Sequence, residues 1–423
     1  MRAVSDSGSR LRCSRIAGMG LVGMKLKQLK RWVQERLADP QCGDDLFLIG
    51  YAMYLATTVW VTTMFPMTKV VQALCMLISL ICIAIKIFLY GKYSIKKVLI
   101  LVVTGLCCVA GLYKNHYVYP LIWFVLIAGS DRVPFEKILK VYLLIVGTIV
   151  FLAFAASMLG VIPNLQYETA TRGIRNSFGI IYPTDCGAHV FFWMLTYFYL
   201  KGKNLSGVHY LFGLLTTWAV YHFCNARIDA GSILMTTVLF GLGNFISCDS
   251  KCSRRIKQIW ERLWERLGGM VMPLLAFVSI LFTYLYSDGN AMWTKMDSTL
   301  LSRFKLGKQA FEDYGLKMFG QKITMNGNGG TVNEIEDYFF LDCSYVNILM
   351  TWGLILFLIV MVLFIYSCKK NRKDLHFQYT IALIAVNCMI AHHLMDVAYN
   401  PFVLAIAAGA IAQMQSLQKN RIR

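Results

Sequence analysis

The stretch Val70-Val-Gln-Ala-Leu-Cys-Met-Leu-Ile-Ser-Leu-Ile-Cys-Ile-Ala-Ile-Lys-Ile-Phe-Leu-Tyr90 is apolar at nearly every position, and Lys86 is its sole charge. A surface helix of a water-soluble domain shows a polar face every few residues, and a buried strand is far shorter. An apolar run of about 20 residues is the length that crosses the hydrocarbon core of a bilayer. Comparable runs occupy Leu46–Met64, Val98–Tyr113, Val118–Ala128, Val141–Ile162, Phe178–Leu200, Val208–Phe223, Gly231–Ile246, Met270–Tyr286, Val346–Ser367, Phe377–Leu394 and Phe402–Gln413. The sequence predicts an all-α polytopic membrane protein of about twelve transmembrane helices. The short Val118–Ala128 run also fits a re-entrant segment.

Composition agrees. The 423 residues are 57% hydrophobic and only 15% charged, with a mean hydropathy of +0.54; soluble domains carry about 25% charged residues. A net charge of +19 would suggest nucleic acid in a soluble protein. Here basic cytoplasmic loops account for it, and no nucleic-acid partner is expected. The 13 cysteines lack zinc spacing and most fall in apolar runs. Cys248 and Cys252 have no second pair or nearby His, so the cysteines read as apolar fillers or free thiols.

With the N-terminus inside, alternate loops collect Lys92, Lys96 and Lys97; Arg132, Lys137 and Lys140; Lys201 and Lys203; the cluster from Lys251 to Arg266; and Lys369, Lys370, Arg372 and Lys373. That asymmetry predicts a multi-pass membrane protein with both termini cytoplasmic. The expected organisation is a cytoplasmic segment 1–43, helices 1–9 over 44–286, a long extracytoplasmic loop 287–343, helices 10–12 over 344–415, and a cytoplasmic tail 416–423. Met24–Leu37 predicts an amphipathic helix on the inner leaflet rather than a cleavable signal peptide. Gln258–Leu267, with Trp260, Leu263, Trp264 and Leu267 at helical spacing, predicts an interfacial helix.

Arginines on the opposite side break the charge pattern without a topological reason. Arg172 and Arg175 precede the sixth span, Arg227 lies between the seventh and eighth, and Arg303 stands in the long loop. Converging guanidiniums offer permanent, bidentate contacts to a diphosphate; singly, they would bind lipid headgroups or pair with Glu168 or Asp229. Asp185 and His189 are one helical turn apart in the sixth span, where ionisable groups face a cavity or pair with each other. Asp342 and Tyr345 stand where the long loop re-enters the bundle. Asp342 reads as a general base for a sugar hydroxyl or as a helix end-cap, and Tyr345 as a site residue or an interface anchor. His392, His393 and Asp396 suggest a metal site, but adjacent helical histidines point about 100° apart. No metal and no cofactor is expected.

The order of these motifs resembles the Wzy-type polysaccharide polymerases of the O-antigen polymerase and ligase superfamily. Thr171-Arg-Gly-Ile-Arg-Asn-Ser-Phe-Gly-Ile-Ile-Tyr-Pro-Thr-Asp-Cys-Gly187 is similar to the family's basic segment and aromatic-Pro turn. Asn225-Ala-Arg-Ile-Asp229, Ser302-Arg-Phe-Lys-Leu-Gly307 with Met318-Phe-Gly-Gln321, and Asp342-Cys-Ser-Tyr345 before Gly353 resemble its later signatures. Ser302 and Gly307 depart from the family's Gly and Trp, Asp185 stands near its Asn, and Cys343 replaces a second Asn. The resemblance implies a GT-C-like bundle in the bacterial cytoplasmic membrane that transfers a growing glycan from undecaprenyl diphosphate to a lipid-linked repeat unit at the outer face of that membrane, without a metal. It implies Arg303, Arg227 and Asp342 as catalytic residues, and Arg172, Arg175, Tyr345, Asp185 and His189 as substrate-binding. The partners implied are the lipid-linked oligosaccharide, the bilayer, a chain-length regulator and a flippase. Related ligases carry a histidine in the region of Asp342, and none stands there, which favours polymerase over glycan ligase. A polyprenyl-oligosaccharide flippase or transporter would show internal repeats, and none is seen. A structural envelope protein would not need an arginine-bearing outer loop.

Overall fold

The computed structural model describes residues 39–169, 173–248, 254–299, 302–332 and 337–409. The predicted Met24–Leu37 helix, Arg172, the residues beyond 409 and the 416–423 tail lie outside the described residues. The described chain is mostly helical. In order it forms α1 (Pro40–Val61), α2 (Lys69–Tyr90), α3 (Ile95–Asn115), α4 (Tyr119–Gly129), α5 (Phe135–Met158) and an antiparallel hairpin of β1 (Gln166–Thr169) and β2 (Gly173–Asn176). Next come α6 (Pro183–Lys201), α7 (Gly207–Ala219) with a π-turn at Val220–Cys224, α8 (Arg227–Cys248) and α9 (Arg254–Leu285). The remainder is α10 (Ala291–Thr299), α11 (Arg303–Tyr314), α12 (Ser344–Thr351), α13 (Leu354–Lys370), α14 (Leu375–Asn387) and a 3-10 turn at Pro401–Ile406.

Among the described residues, α2, α3, α5, α8 and α9 are each long and apolar enough to cross a membrane. The packing of α2 shows why its sequence is apolar. Leu74, Leu77, Ile81 and Phe88 point outward, while its buried positions are Ser79, Ile83 and Lys86. Ser79 Oγ donates to the Gly50 carbonyl on α1 at 2.6 Å, and Lys86 Nζ donates to the Asp131 carbonyl. A helix that turns aliphatic residues out and hydrogen-bonding residues in is solvated by lipid, since an aliphatic face of this size in water would drive aggregation.

Several predicted spans are not single full-length helices. The Val118–Ala128 run is α4, only 11 residues and so about 16 Å long. The Val346–Ser367 run breaks at Trp352-Gly353 into α12 and α13. The Phe377–Leu394 run ends its helix at Asn387, and residues 388–400 are mostly buried without regular helix. Irregular backbone survives at such depth only if protein groups satisfy it. Ser344 Oγ donates to the Ala391 carbonyl at 2.6 Å and accepts from Leu394 N at 3.2 Å. Asn400 Nδ2 donates to the Leu394 carbonyl at 2.8 Å, and Arg303 Nε to the Ile390 carbonyl at 3.4 Å. The expected separate helix at Gln258–Leu267 is instead the first part of the continuous 32-residue α9, with Trp260 and Trp264 packed on Tyr379.

The bundle has two chemically different ends. At one, Lys86, Lys97, Arg132 and Lys370 gather around Asp131 and the carbonyls of Ala405 and Ala408. At the other, the end of α1 pairs with the strand-like segment before α6, Met64 N to the Gly179 carbonyl at 2.8 Å and Ile181 N to the Thr62 carbonyl at 2.9 Å. The described residues of the expected long loop fold back over this second end as a cap. Tyr117 Oη donates to the Ile323 carbonyl at 2.7 Å, and Asn115 Nδ2 to the Thr351 carbonyl at 2.9 Å. Tyr167 Oη lies 3.0 Å from the Ile181 carbonyl and 3.1 Å from that of Asn328. Burial pushes its phenol up to about 12, so the hydroxyl stays a neutral donor tying the hairpin to the cap.

Candidate functional site

Four separate stretches meet in one small polar cavity under the cap. The first turn of α6 is preset by Pro183 at its start and presents Thr184 and Asp185. The second stretch begins where the π-turn ends. Asn225 adopts a left-handed backbone, φ 47°, which Asn tolerates better than most residues, and reverses the chain into α8. Arg227 then opens α8, its Nε donating to Asn225 Oδ1 at 3.1 Å.

The third stretch is the start of α11. Ser302 is left-handed, φ 65°, and cannot cap the helix with its own side chain. The buried Asp297 does so instead, accepting from Phe304 N at 2.7 Å. That anchor fixes Arg303 at the first helical position, where its Nη2 lies 2.8 Å from Asp342 Oδ2. The fourth is the irregular 388–400 segment, which contributes Ile390, Ala391, His392 and His393. His392 Nδ1 is 3.7 Å from Asp342 Oδ1.

The resulting cavity is about 60 Å³, with Asp185, Arg227, Asp229, Arg303, Asp342 and His392 on its walls. Close helix approach makes it possible. A Cβ on Gly187 would stand 2.7 Å from the Ala226 Cβ and 3.0 Å from Asp229 Oδ2, so only glycine lets α6 lie this near α8. We expect Gly187→Val to push the two apart and lower stability by about 1–3 kcal/mol, the usual effect of overpacking. A thermal midpoint equal to the wild type's would contradict this contact.

Arg303, Arg227, Asp342 and Asp185 are thus brought together from positions far apart in the chain. Asp342 does not cap α12: Cys343 holds that position, and no side chain bonds the helix start. Tyr345 is not at the cavity or at a membrane interface. It is fully buried, and its Oη donates to the Ala385 carbonyl at 2.8 Å, which makes it a core residue. His189 turns away from Asp185. Its Nε2 meets Thr62 Oγ1 at 2.9 Å, and its ring stacks on Tyr399 at 4.1 Å, with His393 on the other side of that tyrosine at 3.9 Å. Arg175 lies behind the cavity wall, against the Cys224 carbonyl. Asp229 pairs with neither neighbouring arginine, and accepts from Asn387 Nδ2 at 3.3 Å.

His392 and Asn225 were not among the expected site residues. His392 fell in an apparently continuous apolar span, where a helix would have pointed it and His393 apart; the broken backbone puts both on the cavity. Among the described residues no three His, Cys, Asp or Glu side chains converge as metal ligands.

On the far side of α6 lies a second, apolar cavity of about 1030 Å³, walled by Val146, Phe154, Phe178, Trp193, Phe212 and Leu215. Cys186, His189 and Cys224 form the wall nearest the polar cavity. Its rim holds a small amide cluster, in which Asn164 Nδ2 and Gln166 Nε2 donate to Asn176 Oδ1 at 3.0 and 2.9 Å.

Compared with known proteins, the chain matches no family model, no curated protein and no solved structure.

Proposed function

We propose that this protein is a glycosyltransferase of the polysaccharide-polymerase type. It would move a growing glycan from undecaprenyl diphosphate onto a lipid-linked repeat unit at the outer face of the bacterial cytoplasmic membrane. The observation that carries this reading is the convergence of Arg227 and Arg303 with Asp342 and Asp185 on one cavity. Guanidiniums fixed before substrate arrives stabilise charge as it develops on a diphosphate leaving group. The apolar cavity beside them suits an isoprenoid tail.

In the proposed reaction the acceptor hydroxyl attacks the anomeric carbon of the donor sugar from the face opposite the diphosphate. The new carbon–oxygen bond forms as the carbon–phosphate-oxygen bond breaks, and the electron pair leaves on the diphosphate, held by Arg227 and Arg303. The hydroxyl proton passes to Asp342. In the structure that carboxylate is engaged by Arg303 at 2.8 Å. A diphosphate that recruits Arg303 releases Asp342 to act as base, so the base becomes available as the donor binds.

A second reading, glycan ligase of the same superfamily, is favoured by one contact. His392 stands 3.7 Å from Asp342, giving this cavity the histidine that the stretch around Asp342 lacks.

Reconstitution distinguishes the two. Liposomes with the protein and an undecaprenyl-diphosphate-linked repeat unit are expected to yield a ladder of longer chains with EDTA present. Transfer only to an added, non-repeat acceptor would select the ligase, and an unconsumed lipid-linked donor would sink both. The sidedness follows from the Lys and Arg asymmetry. Single cysteines at Asn290 and Lys370 are expected to react with impermeant reagent from the outside and the inside respectively; the reverse pattern would put the cavity on the wrong face.

A further inference from the structure

At the end of the bundle away from the polar cavity, four cations crowd one carboxylate. Lys86 on α2 is only 4% exposed, and its Nζ donates to the backbone carbonyl of Asp131. Lys370, the last residue of α13, donates to the Ala405 and Ala408 carbonyls and lies within electrostatic reach of Asp131 and Lys97. The Asp131 carboxylate itself pairs with Lys97 through Oδ1, and its Oδ2 stands 3.9 Å from Arg132 Nε. Asp44 is within electrostatic reach of Lys86, but also of Lys137. Even with Asp44 counted, two positive charges remain unmatched, because backbone carbonyls supply dipoles and no net charge.

Two features set the cluster apart from a plain basic loop. Arg132 holds a left-handed backbone, φ 63°, which is unfavourable for a residue with a Cβ. Its Nη2 is braced on the Lys92 carbonyl at 2.6 Å, yet the side chain stays 62% exposed, so the strained turn presents a fixed guanidinium outward. Beside it, Tyr93 Oη is buried with no hydrogen-bond partner among the described residues, and Lys97 Nζ lies 5.7 Å from the Tyr93 ring centre. A buried hydroxyl left without a partner points to a group that the folded chain does not itself supply.

The surroundings say which anion. The end of α2 turns Phe88 and Leu89 outward, and the start of α3 does the same with Ile95 and Leu99. Fixed cations beside an exposed apolar surface at the end of a membrane bundle suit a lipid, its acyl chains on the apolar side and its phosphates at the cations.

We infer that this cluster binds the headgroup of a diphosphatidylglycerol-type lipid, with Lys97 and Arg132 as its exposed contacts. The two phosphates match the two unmatched charges, and a headgroup seated there gives Tyr93 the partner it lacks. Because Lys86, Lys97, Arg132 and Lys370 come from α2, α3, the turn before α5 and α13, one bound dianion ties together four parts of the chain. The site needs no glycosyl transfer and stands or falls independently of the proposed reaction.

The test uses full-length protein in phosphatidylcholine nanodiscs that contain either cardiolipin or twice as much phosphatidylglycerol, which matches the phosphate, with retained lipid counted by native mass spectrometry. Cardiolipin is expected to bind tighter by about tenfold or more, since one molecule brings two linked phosphates to one cluster. Lys97→Gln combined with Arg132→Gln is expected to weaken cardiolipin on the order of tenfold or more. Lys140→Gln, at an exposed lysine paired with Glu136, is expected to change it by less than about twofold. Equal losses in the two variants, or equal retention of the two lipids, would reduce the effect to the attraction of any basic loop for any anionic headgroup, and overturns the inference. Inorganic pyrophosphate displacing cardiolipin at equal concentration would make this a site for a soluble anion and overturns it too. Should the double variant not fold, hydrogen exchange on wild-type protein decides. Cardiolipin is expected to slow exchange in 91–94 and 130–133 relative to phosphatidylglycerol, and unchanged exchange there overturns the assignment.

Discussion

Replacing Arg303 by lysine is expected to cut the rate of polymer formation by about 10²–10³-fold, the usual loss when one fixed donor to a developing anion is removed. The charge survives the substitution, so the size of the effect measures geometry. Arg303 spans two partners, its Nη2 on Asp342 at 2.8 Å and its Nε on the Ile390 carbonyl at 3.4 Å. A lysine ammonium is a single point at the end of a flexible stem and cannot hold both while gripping a phosphate oxygen. Asp342→Asn should behave differently. It keeps the size of the side chain but loses the ion pair and the proton acceptor, so turnover falls while lipid-diphosphate binding persists. Initial rates from liposomes check both, and a lysine variant running at the wild-type rate would remove Arg303 from the chemistry.

Gly353→Ala is expected to be the most damaging single change outside the cavity. Gly353 has φ 90° and ψ 168°, a backbone region essentially restricted to glycine. A Cβ there would stand 2.2 Å from Gly320 N and 2.6 Å from the Met318 carbonyl oxygen. Gly320, at φ 78°, faces it just as closely, with its own Cβ position 2.2 Å from the Thr351 carbonyl oxygen. The two glycines let the cap lie directly on the corner between α12 and α13, where Leu354 N and Ile355 N donate to the Lys317 and Met318 carbonyls at 3.1 Å. Strain of about 1–3 kcal/mol and overpacking of similar size should together destabilise the cap by several kcal/mol. Proteolysis within 315–332 should rise sharply, while Gly231→Ala, at an α8 site with nothing within 4 Å, should be neutral or mildly stabilising. Equal protease resistance in both variants would show that the glycine contact does not hold the cap.

The membrane class was legible in Val70–Tyr90 because lipid solvation demands an apolar exterior along a whole helix. Which residues would face inward was not, since Ser79 and Lys86 sit in that run like any other interruption. The arginine–aspartate cluster was legible in part, because Arg227 and Arg303 depart from the expected Lys and Arg asymmetry and Asp342 stands where the polar segment returns to an apolar run. Tyr345 misled because an aromatic beside a re-entry point suits a site, an interface and a core equally, and only packing decides. The broken segment at 388–400 was hidden by its hydropathy. Hydropathy registers composition, whereas the break depends on Ser344, Asn400 and Arg303, remote or neighbouring side chains that satisfy its backbone. The clustering of Asn387, His392, His393, Asp396 and Asn400-Pro401 was the available signal that a plain helix does not continue there.

The most direct measurement is the affinity of nanodisc-embedded protein for an undecaprenyl-diphosphate-linked oligosaccharide, with Arg227→Gln and Arg303→Gln combined. A loss on the order of a hundredfold or more is predicted, since two charge-assisted contacts disappear at once. Wild-type affinity in the doubly substituted protein would mean that these guanidiniums do not hold the diphosphate.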